Sequence, residues 1–153
     1  MAPTSKDLPK LYSMTSIGIA TFFCSLLAGG YLIYANYKAL GMRSLANYTL
    51  GASLILFLLL LWVMSIWLDP ASVNAEAPGD LPRNIVTINL IAATAQAIIA
   101  VMATQFLQGA MLTTFNEMNG TYHSTWWAFF VGFCAAFVLS MLLALLASLL
   151  NFR

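Results

Sequence analysis

The chain has 153 residues, 61% of them apolar and 7% charged, with a net charge of +1. A soluble domain carries about 25% charged residues, so too few are present here to coat a water-facing surface. The near-neutral balance also excludes a nucleic-acid partner and a strongly basic membrane-surface module.

About eleven polar residues open the chain, and the apolar run that follows is too long for a signal-peptide core. It is expected to be retained as a first helix over about 13–35, with Gly18, Thr21, Ser25 and Gly29 as a loose row of small residues. Three further apolar runs lie at about 46–68, 85–108 and 125–150. Each run is long enough to cross about 30 Å of hydrocarbon, which takes about 20 helical residues. None of the four contains Asp, Glu, Lys, Arg or His. Backbone polar groups find no water in lipid, so continuous helices are expected. Short linkers make successive helices antiparallel neighbours. The expected fold class is all-α: one integral membrane domain over 1–153, with four transmembrane helices in an antiparallel up-down bundle. A polar loop at about 69–84 is bounded by Pro70 and Pro82, which stop helices on either side.

The stretch 28–42, AGGYLIYANYKALGM, reads as the exit from the first span. Tyr31, Tyr34 and Tyr37 anchor it at headgroup depth. Lys38 snorkels beside them, and Gly41 suits a left-handed helix cap. Asn36 alone has no role in that account, which makes it a candidate site residue.

The second span is leucine-rich and is expected to face lipid. The third is the least apolar. Ala93, Ala97, Ala100 and Thr104 form a small face, while Asn89, Gln96, Gln105 and Gln108 carry amides. Amides facing lipid are costly, so this helix is expected at the centre. Its amides join helices, or Asn89, Gln96 and Gln105 line a polar path. The fourth span has Gly132, Ala136, Ser140, Ala144 and Ser148, a small residue at every fourth position. Such a stripe lets another helix backbone approach closely.

Before the fourth span stands His123, the only histidine. With Glu117, six residues away, it forms a candidate interfacial site, and its titration range suits pH sensing. Trp126 and Trp127, with Tyr48, Tyr122 and the three tyrosines above, make an aromatic belt at one interface. Trp62 and Trp67 mark the other. Cys24 and Cys134 lie in apolar runs and read as small buried hydrophobes. No HExxH, GxSxG or phosphate-cradling loop is present. No catalytic residue, metal ligand or cofactor is expected. Proton relays and ion-coupled carriers usually keep an ionisable group within their spans, and these spans have none. Asn47 and Asn119 open Asn-x-Thr triplets, which matter only in a secretory pathway.

The stretch 28–42 resembles a turn of the form LAGGYLLAxNYRxLG in small multi-helix bacterial inner-membrane proteins of unassigned function. Residues 105–133 resemble their second hairpin more weakly. The resemblance implies a helical membrane fold, a bacterial inner membrane, and both turns in the cytoplasm. It transfers no catalytic residues. A count of basic residues implies the reverse. With four continuous spans, Lys6, Lys10, Arg83 and Arg153 share one side against Lys38 and Arg43, which favours cytoplasmic termini.

The expected function is non-enzymatic. The chain would be a structural or accessory membrane subunit, embedded in the lipid bilayer and forming a homo-oligomer or docking to a membrane-protein partner. The alternatives are a small channel or carrier for a neutral solute, and an interfacial sensor of pH or lipid.

Overall fold

The computed structural model describes residues 8–67 and 83–151, and these residues form five helices and no strand. They are α1 (Met14–Cys24), α2 (Leu26–Ala39), α3 (Arg43–Trp67), α4 (Arg83–Glu117) and α5 (Thr125–Asn151). Most of the polar loop expected at 69–84 lies outside the described residues, as do Lys6 and Arg153.

The single first helix expected over 13–35 is two helices. The chain breaks at Ser25, where φ is 146° and ψ is 172°. It then turns back on itself. Tyr12, before α1, hydrogen-bonds Asn36 near the end of α2. Close to the break, the Thr21 side chain fills the space where Gly29 has no Cβ. α1 and α2 are therefore antiparallel arms of one hairpin. They have 11 and 14 residues, so at 1.5 Å per residue they rise only about 17 and 21 Å. Neither arm reaches across about 30 Å of hydrocarbon.

α3, α4 and α5 have 25, 35 and 27 residues. Each is long and apolar enough to cross a membrane. Four continuous spans are thus replaced by three long helices and one short hairpin. α4 runs nine residues past its expected end at 108, so most of the expected linker at 109–124 is helix. α3 and α5 match their expected bounds within a few residues.

Local caps fix the ends. The Ser13 hydroxyl accepts from the Ser16 N–H and starts α1. The Ser124 hydroxyl accepts from the Trp127 N–H and starts α5. Gly41 sits at φ 77°. Around it the Met42 N–H reaches the Tyr37 carbonyl at 2.9 Å, and the Gly41 N–H reaches that of Lys38 at 3.1 Å. These two bonds form the glycine-terminated cap expected at this turn. α4 ends the same way, with Asn119 at φ 53° in place of glycine.

The hairpin occupies the centre. Ile17, Ala20, Leu27, Ala28 and Leu32 are all fully buried, and all belong to it. α5 packs on both arms, α4 on both, and α3 on α2, while no two of the three long helices pack on each other. The third predicted span, expected at the centre, is instead one of three helices around the hairpin. The leucine-rich face of α3, including Ile55, Leu58, Leu59 and Trp62, is exposed, as expected of a lipid-facing surface.

The fold-back also moves the N-terminal side of the molecule. The Leu11 N–H bonds the Thr121 carbonyl, and the His123 N–H bonds the Leu11 carbonyl at 2.8 Å. The residues before α1, the Gly41 turn and the α4–α5 turn therefore lie at one end. The expectation that the N-terminal segment and the Gly41 turn lie on opposite sides is corrected. The physical reason is the reversal at Ser25, which brings the end of α2 back beside the start of α1.

Candidate functional site

The open end of the hairpin is closed by amides. Asn36 is fully buried on α2. Its Oδ1 accepts the Tyr12 N–H at 2.7 Å, and its Nδ2 donates to the Tyr12 carbonyl at 2.9 Å. The side chain thus pairs with Tyr12 as a neighbouring strand would. The same Nδ2 donates to Gln108 Oε1 at 3.0 Å. Gln108, also fully buried, donates its Nε2 to the Ile33 carbonyl at 2.9 Å. Beside it the Tyr37 hydroxyl donates to the Leu107 carbonyl at 2.7 Å. Three segments, residues 12, 33–37 and 107–108, are joined by polar groups that satisfy one another.

The closed end is held by a second amide. Gln96 of α4 accepts the Leu26 N–H at 2.9 Å. Leu26 is the first residue of α2, so this is one of the donors that a helix start leaves unpaired. The Ser25 hydroxyl does not cap α2. Gln96 does that work from 70 residues away. Among the described residues, every buried side-chain polar atom has a partner.

The candidate residues fall into place unevenly. Asn36 and Gln96 hold the two ends of the hairpin. Asn89 and Gln105 are exposed. They stand 16 residues apart on α4, about 24 Å at 1.5 Å per residue. The Gln105 side chain folds over Gly109 of its own helix. Asn89, Gln96 and Gln105 do not meet on one path.

The small stripe of α5 divides in two. At Gly132 the Cβ atoms of Ala28 and Ala20 stand 3.2 and 3.3 Å from where a side chain would begin. Ala136 is only 6% exposed. This upper part packs on the hairpin. Ser140, Ala144 and Ser148 are exposed, while Leu139 and Leu143 beside them still pack against the core.

His123 stacks on Tyr12, with ring centroids 4.7 Å apart and planes 25° from parallel. Burial lowers its pKa below the ordinary 6.5, and the Lys10 ammonium adds to the effect. Glu117 is exposed on the last turn of α4. Two of the candidate residues, His123 and Asn36, meet through Tyr12.

The aromatic belt is also thinner than expected. Trp126 and Tyr48 are 83% and 75% exposed. Tyr37 is buried, and the Tyr122 hydroxyl donates to the Leu112 carbonyl at 3.3 Å, so both link parts of the protein interior. The Trp67 side chain lies outside what the structure describes. Cys24 and Cys134 are free; Cys24 is half-buried, and Cys134 is exposed rather than buried. Among the described residues no three of His, Cys, Asp and Glu gather where they could hold a metal.

Tyr12 and Ser25 drew no attention as site residues in the sequence. The available signal for Tyr12 was Asn36 itself, a buried-type position with an amide and no local partner. Comparison with known proteins finds no matching family model, curated protein or solved structure.

Proposed function

We propose that the chain is a multi-pass integral membrane protein without enzymatic activity, acting as a structural or accessory subunit. Three spans, α3, α4 and α5, surround a hairpin that enters the bilayer from one face and returns to it. Such non-helical backbone at membrane depth is tolerated where protein buries it. Here the neighbouring helices and Gln96 supply that cover.

One observation carries the subunit reading. The long helices pack on the hairpin and not on one another, and Ser140, Ala144 and Ser148 stand exposed at every fourth position of α5. Membrane helices associate through such small residues, by close packing rather than by a hydrophobic drive. A second copy or a larger membrane complex would cover them.

The end bearing Lys10, Lys38 and Arg43 is read as cytoplasmic, because Arg83 is the one described basic residue at the other end. This agrees with what the bacterial resemblance implies for both turns, and the inner membrane follows from that resemblance. The described C-terminal end of α5 then lies on the opposite face.

The test is crosslinking in bilayers. Ser140→Leu with Ala144→Leu is expected to abolish association while leaving the fold intact, since both residues are exposed. A double variant with the wild-type size distribution would remove the subunit reading.

A further inference from the structure

We infer that the groove between α2, α3 and α5 holds an acyl chain of a phospholipid with a net negative headgroup, whose phosphate is taken by Lys38. The inference rests on reading the long helices as membrane spans.

The groove exists because α3 and α5 both pack on α2 and not on each other. Its volume is about 420 Å³. Tyr31 and Tyr34 form its α2 wall, Leu50 its α3 wall, and Val131, Cys134 and Leu139 part of its α5 wall. The lining is almost wholly apolar below the tyrosines. On α5 it runs from Phe130 to Leu139, nine residues or about 13 Å at 1.5 Å per residue. That length fits within one leaflet, half of about 30 Å. It is also a different face of α5 from the small stripe, so a lipid here and a protein partner there do not compete.

The headgroup end has matching chemistry. Tyr31, Tyr34 and Lys38 follow at helical spacing up α2, toward the Gly41 turn. The two rings are 5.6 Å apart. The Lys38 ammonium lies 5.5 Å from the centroid of Tyr34, a groove-lining ring. Two hydroxyls and one cation are thus set where an ester and a phosphate would lie above a buried chain. Arg43 and Lys10 occupy the same end, and Glu117 is the one carboxylate among the described residues. The field at this end favours a negative headgroup over a zwitterionic one.

The test uses the full chain in vesicles of equal phosphatidylglycerol and phosphatidylcholine. The protein is extracted mildly, and its retained lipid is weighed by native mass spectrometry. The wild type is expected to retain phosphatidylglycerol over phosphatidylcholine by about five-fold, the worth of one lysine near an anionic headgroup. Lys38→Gln should lower that ratio several-fold while lipid is still retained. The exposed Cys134 allows the groove to be filled after folding. In a Cys24→Ala background, a bulky maleimide on Cys134 should abolish retention of both lipids. An unchanged ratio in Lys38→Gln, or unchanged retention in the filled protein, would overturn the inference. A chain that never enters the vesicles would instead overturn the membrane reading on which it rests.

Discussion

Asn36 and Tyr12 are paired by two hydrogen bonds, 2.7 and 2.9 Å long, between one side-chain amide and one backbone unit. Twenty-four residues separate them. In a continuous helix they would stand about 36 Å apart at 1.5 Å per residue. Their contact defines the hairpin, and most of what distinguishes this fold follows from it.

Replacing Asn36 with leucine should be among the most damaging single changes. The Tyr12 N–H, the Tyr12 carbonyl and the Gln108 oxygen would each lose the bond that Asn36 supplies. The expected loss is at least about 3 kcal/mol, from about 1–3 kcal/mol for each of these orphaned groups. Exposed Gln105→Ala should stay within about 0.5 kcal/mol. Reversible unfolding in mixed micelles measures both. Equal stabilities would mean that the amide clamp does not hold the hairpin.

Ser25 occupies a backbone region that favours glycine, at a cost of about 1–3 kcal/mol. Its side chain caps nothing. Ser25→Gly should therefore stabilise the protein by about 1 kcal/mol. In a straight helix the same change would destabilise by about 0.5–1 kcal/mol. The sign of the change, read in the same unfolding assay, separates the two structures.

Gln96 distinguishes helix joining from transport. Gln96→Leu leaves the Leu26 N–H without its partner and should cost about 1–3 kcal/mol. Asn89→Ala, on the surface, should cost nothing measurable. Solute flux into liposomes should be the same background value in both variants and the wild type. A flux lost in Asn89→Ala with stability intact would restore the polar path.

The hairpin shows what a linear reading could and could not reach. The apolar runs that became α3 and α5 were legible because one continuous helix satisfies the backbone of a long apolar run within the run itself. The Gly41 cap was legible because only a few residues accept positive φ. The break was not, since Ser25 sits in FFCSLLAGG with no proline and no charge. Hydropathy measures how far a chain stays apolar, and it carries no information about direction. The residues that make the break are Gln96, 70 positions away from Leu26, and Asn36, which reaches back to Tyr12. Asn36 stood out in the sequence as a residue without a role, and its role was a distant contact. α4 ran past its expected end because Gly109 and the polar residues after it read as a turn, while in the structure they continue one helix.

His123 makes stability depend on pH in a stated direction. Its folded pKa lies below the ordinary 6.5 because burial, and then Lys10, disfavour the charged ring. Its contribution is therefore complete above pH 6.5 and is lost as the pH falls from there through the folded value. Unfolding between pH 7.5 and 5 should show stability dropping on the acid side. His123→Phe keeps a ring against Tyr12 and should flatten that slope. A slope that persists in the variant would assign the titration to another group.

The fold-back itself is tested most directly by one distance. Spin labels at Lys10→Cys and Ala39→Cys, in a Cys24→Ala, Cys134→Ala background, sit on exposed positions beyond each arm. Pulsed electron resonance in bilayers should give a single short distance, below about 25 Å, because the two arms end side by side. A continuous helix would separate the labels by about 44 Å, at 1.5 Å for each of the intervening residues. That long distance would contradict the hairpin, the three-span arrangement and the shared end of the N-terminal segment and the Gly41 turn.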